Sequence, residues 1–345
     1  MSDADEVREA YRFDQRRLEK YLHAQIPDFA GPLTVEQFTQ GQSNPTYLLR
    51  TPAREYVLRR KPPGQLLASA HAVDREYRVM TALGAHTSLP VPRTFALCTD
   101  DSVIGSWFFV MERMRGRIFW DVTFPELPAA QRASCFDAMN ATIAALHSVN
   151  FAAIGLADYG KPGDYARRQI KRWSGQYLQD TEAGRVPAMD ALIDWLSANV
   201  PNSDEASIVH GDFRCDNLIF HPSEPRIVAV LDWELSTLGH PLADFAYHLM
   251  MYYLPDMAIP GLLGKPLAAL GIPSREQYVA AYCRRTNRAG IADLNFYLIF
   301  NLFRFAAICH GIRGRLARGT AVSARAREYA AGVERLAQLG LDLTR

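Results

Sequence analysis

Apolar positions change period along this chain, and the change separates a strand-rich beginning from a helix-rich remainder. Val7, Tyr11, Leu18 and Leu22 recur near helical spacing and predict an opening amphipathic helix over 5–24. Strand-like runs follow at 33–39, 46–51 and 55–60, the first two joined by the turn-prone Gly41-Gln42-Ser43-Asn44-Pro45. A helix is predicted over 70–83, then apolar strands near 94–98 and 107–111. Five strands with one inserted helix thus fill the first third as a small antiparallel sheet.

After Gly116 helical spacing dominates, beginning with a long pattern over 128–149. The exception is a pair of β-branched runs, 206–209 and 226–231, with 218–220 between them and a turn at His221-Pro222-Ser223-Glu224-Pro225. These predict a β-hairpin. The most apolar stretch, 296–312, is interrupted by Asn301, Arg304 and His310 and is shorter than the roughly 20 residues of a membrane span, so it reads as a buried helix. No internal repeat is visible. The expected organisation is α+β in two unequal lobes, 1–115 and 116–345.

Composition narrows the setting. The 345 residues are 48% hydrophobic and 22% charged, ordinary for a globular chain with ample core. A net charge of +1 offers no overall attraction to nucleic acid or an anionic membrane, so neither is an expected partner. The acidic, mixed start (Asp3, Asp5, Glu6, Arg8) lacks the pattern of a secretory signal. Five cysteines without C-x-x-C spacing suit a reducing compartment, and a cytoplasmic location is expected.

Chemistry concentrates in His210-Gly211-Asp212-Phe213-Arg214-Cys215-Asp216-Asn217, followed by Leu231-Asp232-Trp233-Glu234. Phosphoryl transfer asks a protein for a carboxylate that orients the attacking hydroxyl and for oxygen ligands that hold metal ions on the phosphates. Asp212 suits the first task, Asn217 and Asp232 the second. Carboxylate and carbonyl oxygens are the hard ligands that Mg²⁺ prefers. Cys215 lies in the loop, with nothing beside it that argues for a nucleophilic thiol.

The pattern H-G-D-x-x-x-x-N with a later D-W-E resembles the aminoglycoside phosphotransferase and choline kinase-like family. The resemblance implies a protein-kinase-like two-lobe fold, with a small antiparallel-sheet N-lobe bearing one helix and a larger, mostly helical C-lobe. It implies Asp212 as catalytic base, Asn217 and Asp232 as Mg²⁺ ligands, and ATP or GTP as phosphoryl donor. Gly239-His240-Pro241-Leu242-Ala243-Asp244 is similar to the family's G-D-P-x-x-D-L-A element, which gives Asp244 a bracing role.

On the nucleotide side, the turn that holds Ser43 and Asn44 offers backbone N–H groups to phosphate, although neither a P-loop nor a G-x-G-x-x-G fingerprint is present. Glu76 shares its helix face with Val73, Tyr77 and Met80, so its carboxylate needs a cation from the neighbouring sheet. Arg59 of Tyr56-Val57-Leu58-Arg59 stands where the kinase pattern has lysine, with Lys61 two residues on. The resemblance makes Met111-Glu112-Arg113-Met114 the hinge, with the backbone of Glu112 and Met114 against the base.

The resemblance is closest to the kinase-like domain at the N-terminus of acyl-CoA dehydrogenase family members ten and eleven. It rests on Tyr56–Gly64 (YVLRRKPPG), Ala72–Tyr77 (AVDREY) and Leu146–Val149 (LHSV). It implies a hydroxylated acyl acceptor. Residues 240–345 contain 13 Lys+Arg and 7 Asp+Glu, a balance of 13 − 7 = +6 that would repel polycationic aminoglycosides and attract an anion. Arg304, Arg313 and Arg315 are the candidate contacts, Arg304 foremost because it interrupts an apolar run. A second basic group, Lys161, Arg167, Arg168, Lys171 and Arg172, precedes Trp173. Two alternatives use the same residues: a metal-dependent phosphoesterase, whose G-D-x-H-G and G-N-H-[ED] motifs are missing, and a nucleotide-binding pseudokinase.

Overall fold

In the computed structural model the first of two units comprises Met1–Arg117, Ala152–Tyr159 and Val228–Leu235. Residues 4–38, 44–62, 72–321 and 325–345 are described. The unit begins with β1 (Ala4–Asp5), α1 (Gln15–Gln25), β2 (Thr34–Phe38), β3 (Thr46–Arg50) and β4 (Glu55–Arg60). It continues with α2 (Val73–His86), β5 (Thr94–Cys98), the short α3 (Asp101–Ile104) and β6 (Phe108–Glu112). The strands form one antiparallel sheet in the order β1-β2-β3-β4-β6-β5.

The opening helix is shorter than its periodicity predicts. Asp14 caps α1 by accepting from the N–H groups of Arg16 and Arg17, while Ala4 and Asp5 pair with Phe38 and Gln37 as a sixth strand. An N-cap can override a weak apolar period, and Val7 still joins Leu18 and Leu22 in the core. That core lies between α1 and one face of the sheet, with Tyr47, Leu49, Tyr56, Leu58, Phe108 and Val110 all buried. Period-two alternation sends Val57 and Arg59 to the opposite face, toward α2.

The second unit comprises Ile118–Phe151, Gly160–Ile227 and Ser236–Arg345. Its elements begin with α4 (Ala129–His147), α5 (Tyr165–Gln179), α6 (Pro187–Ala198), β7 (Ser207–Val209) and β8 (Leu218–Phe220). After β9 (Ile227–Val230), whose first residue alone belongs here, come β10 (Thr237–Gly239), α7 (Pro241–Leu249), α8 (Leu267–Leu270) and α9 (Arg275–Arg285). The chain closes with α10 (Leu294–Ala317), α11 (Ala326–Ala331) and α12 (Val333–Asp342).

The hairpin predicted about the turn at 221–225 forms, with β8 and β9 as a two-stranded sheet. β7 pairs antiparallel with β10, Val209 opposite Thr237, and the turn after β8 is closed by His221 N–H on the Arg226 carbonyl (2.8 Å). The turn residues immediately follow β8, so local closure at small entropy cost gives β7 a later partner. The apolar stretch is a buried helix, as expected, but α10 runs 24 residues rather than the predicted 296–312. Length and composition alone would let it cross a membrane, yet 83% of its most apolar window is buried among α5, α7, α11 and α12.

Two histidines of α7 are locked neutral beneath this helix. His248 Nδ1 faces the Phe213 carbonyl (3.1 Å), so its Nε2 accepts from Tyr278 Oη (2.6 Å). His240 Nδ1 accepts from Leu242 N–H, which leaves the proton on Nε2 between Ser203 and Tyr297. Burial pushes both down to about 4. A folded value below the unfolded one of about 6.5 means that the unfolded chain binds more protons between pH 4 and 6.5. The stabilisation is therefore complete above pH 6.5 and lost as pH falls toward 4, by up to about 3 kcal/mol per histidine. Urea unfolding at pH 7.5, 6 and 5 should show this decline, and His248→Gln should remove part of the slope; stability that stays level from pH 7 to 5 would refute it.

Candidate active site

In the first unit, Glu76 lies in the first turn of α2 with 1% of its surface exposed. Arg59 Nε stands 3.1 Å from Glu76 Oε2, and Asn44 Nδ2 donates to Glu76 Oε1 (2.9 Å). The other edge of the same guanidinium reaches Asp232 Oδ1 (2.6 Å) and Glu234 Oε2 (3.5 Å). Burial pushes the Glu76 carboxyl up to about 7 against the pull of Arg59. Burial also opposes the charge on Arg59, but Glu76, Asp232 and Glu234 outweigh it and hold the guanidinium protonated. Glu76 and Asp232 alone already exceed its single positive charge. Arg60, the next residue, points through the sheet to Ser106 and the Phe13 ring, so alternation selects Arg59 as the partner of α2.

Lys61 does not join this cluster; its Nζ lies 4.0 Å from the Trp107 ring centre and 3.9 Å from Asp74. Glu112 ends β6 with an exposed side chain, its N–H donating to the Arg93 carbonyl (2.8 Å), and Met114 follows half-buried. Gly41 to Ser43 fall outside the described residues, so of the two site residues predicted in this turn Asn44 alone is described, held on Glu76.

In the second unit, the loop after β7 takes its shape from Asp244. This buried carboxylate accepts from the backbone N–H groups of His210 (2.7 Å) and Gly211 (2.8 Å) and meets His147 Nε2 at 3.2 Å. Burial alone would raise its pKa; the His147 and His210 hydrogen bonds overcome that and hold it below the usual range. Gly211 adopts φ 83°, a conformation that a side chain resists, and the chain then reverses toward Asp212. This is the bracing expected of Asp244.

Asn217 Nδ2 donates to both the backbone carbonyl (2.8 Å) and Oδ2 (3.0 Å) of Asp212, so the predicted base and amide meet. Tyr247 Oη donates to Asp212 Oδ1 (2.5 Å), and Arg214 Nε stands 3.5 Å from the same oxygen. Arg304 donates to the Gly211 carbonyl (3.0 Å) and lies over the Tyr247 and Trp173 rings at 5.3 and 5.9 Å. Its Nε is buried without a hydrogen-bond partner, and among the described residues no carboxylate lies within 4.0 Å of it. Arg313 is directed elsewhere, to Glu334 and the Ala330 carbonyl, and Arg315 is exposed on α10. Burial pushes the Cys215 thiol to about 12, which suits packing rather than attack.

Asn217 and Asp232, each within its own unit, carry oxygen donors of the kind that Mg²⁺ prefers. With its NH₂ committed to Asp212, Asn217 has a carbonyl oxygen to offer, and Asp232 keeps Oδ2 after Arg59 takes Oδ1. Among the described residues no three His, Cys, Asp or Glu side chains cluster as a metal site.

The sequence profile of the phosphotransferase enzyme family matches residues 34–294. The chain belongs to the phosphotransferase enzyme family. A solved structure described as a putative aminoglycoside phosphotransferase from Ralstonia eutropha is 48% identical, with a TM-score of 0.89 over 96% of this chain and 98% of that one. Aminoglycoside phosphotransferase APH(4)-Ia, in a ternary complex with AMP-PNP and hygromycin B, is 18% identical with a TM-score of 0.61, covering 94% of this chain and 98% of its own. These likenesses carry the kinase-like fold. Acyl-CoA dehydrogenase family member 10 of Mus musculus is 44% identical over 97% of this chain, which spans 32% of that protein's length. The family drawn from H-G-D-x-x-x-x-N is thus the right one.

Sequence reasoning passed over Glu234, Arg214 and Tyr247 as site residues. Tyr247 carried a signal, since it lies one helical turn after Asp244 on the same face. Removing one member of the buried ion group should expose its cost. Glu76→Ala should destabilise the protein by roughly 3 kcal/mol, because it leaves the Nε edge of Arg59 and the Asn44 amide without their acceptor in a dry setting. Arg59→Lys should cost less, since one point charge remains. Denaturant midpoints equal to wild type for Glu76→Ala would remove the pair from this role.

Proposed function

We propose that this phosphotransferase moves the γ-phosphate of ATP or GTP to a hydroxyl of a small anionic acceptor, a hydroxy acid or its coenzyme A thioester. The observation that carries the transfer reading is the Asp212 carboxylate, oriented by Asn217 on a loop that Asp244 braces. In the step, the acceptor oxygen bonds to the γ-phosphorus as the bond to the β,γ-bridging oxygen breaks. The hydroxyl proton passes to Asp212, and the nucleoside diphosphate leaves. Mg²⁺, held by Asn217 and Asp232, would neutralise phosphate charge. Asn44, Arg59 and Glu76, together with Ser43 of the same turn, would set the phosphates, and the backbone at Glu112 and Met114 would meet the base. The bound AMP-PNP of the distant APH(4)-Ia supports a nucleoside triphosphate as donor.

Arg304 supports an anionic acceptor. It is 7% exposed and lacks a carboxylate partner among the described residues, so a carboxylate or phosphate of the acceptor would balance its charge. The +6 balance of residues 240–345 and the likeness to acyl-CoA dehydrogenase family member 10 point the same way. Arg313 and Arg315 would add only longer-range attraction.

A nucleotide-consumption screen over hydroxy acids, their coenzyme A thioesters, choline, sugars and aminoglycosides tests the whole reading, and transfer confined to cationic amines would overturn its acceptor half. Asp212→Asn should lower kcat by about a hundredfold or more with nucleotide affinity close to wild type. Asp232→Ala should weaken metal-dependent nucleotide binding on the order of tenfold. Arg304→Ala should raise KM for the acceptor more than for the nucleotide, and added salt should do the same; a loss confined to kcat would make Arg304 a brace of the Gly211 carbonyl instead.

A further inference from the structure

Helix α7 meets the catalytic loop with two side chains spaced by one turn. Asp244 takes the backbone N–H groups of His210 and Gly211, and Tyr247 reaches past them to the side chain of Asp212. One turn of helix therefore fixes both the path of the loop and the direction of its carboxylate. The two oxygens of Asp212 are held by different elements: Oδ1 by Tyr247 Oη at 2.5 Å, Oδ2 by Asn217 Nδ2 at 3.0 Å. A carboxylate gripped at both oxygens cannot rotate about its last torsion, so its remaining lone pairs keep one direction.

Tyr247 suits this task. Its ring is 7% exposed and lies under the Arg304 guanidinium at 5.3 Å, and Arg304 in turn grips the Gly211 carbonyl. Burial first, and the Asp212 charge second, hold the phenol well above its ordinary range, so it remains a neutral donor wherever the enzyme is folded.

We propose that Tyr247 is a positioning residue for phosphoryl transfer, one that acts through Asp212 by fixing the direction of its carboxylate. The inference rests on the reading of Asp212 as base. The charged and titratable groups facing Asp212 within its unit are Arg214 and Asp216 from the loop, Tyr247 from α7 and Arg304 from α10. Tyr329 of α11 faces Arg214, and Arg325 precedes that helix. Of these groups, Tyr247 makes the shortest contact to the carboxylate, with Arg214 Nε at 3.5 Å from the same oxygen. Loss of its hydroxyl leaves an ion pair at 3.5 Å to hold Oδ1.

The test reads Asp212 directly, whatever the acceptor. Protein labelled with ¹³C at aspartate carboxyls is observed by NMR at one fixed pH, with Asp212→Asn assigning the signal. In Tyr247→Phe the Asp212 carboxyl signal should shift, because the donor to Oδ1 is gone. Site-specific 3-fluorotyrosine at 247, which keeps the packing and the hydroxyl, should leave it closer to wild type than Tyr247→Phe does. With the acceptor found by the screen, Tyr247→Phe should lower kcat about tenfold or more and leave the nucleotide KM within about twofold, and it should cost little further in an Asp212→Asn background. An Asp212 signal identical in wild type and Tyr247→Phe would overturn the proposal, as would an unchanged kcat in Tyr247→Phe. Asp212→Asn retaining most of its turnover would instead sink the reading of Asp212 as base, with the carboxyl signal still reporting whether Tyr247 holds the side chain.

Discussion

A carboxylate that folding removes from water must find donors, and Asp244 finds them in the backbone of the loop that leads to Asp212. Its two oxygens take the N–H groups of His210 and Gly211, and His147 closes the set from α4. The cost of burying an unpaired charge thereby becomes a restraint on loop shape, since another path would leave Asp244 without partners. The consequences run outward. Gly211 takes a left-handed φ, Asp212 turns toward Tyr247 and Asn217, and Arg304 is drawn from α10 to the Gly211 carbonyl. Asn301, one turn before Arg304, ties the same helix to the Ala243 carbonyl beside Asp244 (2.8 Å). Polar residues that interrupt the apolar run of α10 are therefore the ones that register the helix against the loop.

The parts legible in the sequence are those set by period and by charge necessity. Alternation in β4 and the apolar face of α2 placed Arg59 and Glu76 opposite each other, and burial of the acid demanded the pair. The loop acid and the amide five residues on stood out through the family's H-G-D-x-x-x-x-N pattern, and their residue types suit what phosphoryl transfer asks of a protein. The hairpin of β8 and β9 was legible in its turn residues, whereas the partner of β7 was not, because three residues carry too little pattern to specify one. The opening helix was overextended because the cap at Asp14 weighs more than two apolar residues upstream of it. Tyr247 was hidden for a different reason: in a helix with every residue buried, a tyrosine reads as core, and only the position of its hydroxyl separates packing from function.

The exchange of lysine for arginine at position 59 has a structural counterpart. A lysine ammonium is a point charge that serves one neighbourhood, whereas a guanidinium has two edges. Arg59 uses both, Nε toward Glu76 and Nη2 toward Asp232 and Glu234. Glu234 is the last residue of D-W-E, where the protein-kinase D-F-G has glycine and hence no side chain to pair. The wider reach of arginine and the additional acid are thus complementary. With a lysine here, Glu234 would crowd Asp232 with like charge and little compensation; with glycine at 234, half of the guanidinium edge would face a single acid. Arginine at this position consequently accords with an intact site, and it weakens the case for a pseudokinase that the missing lysine would otherwise raise.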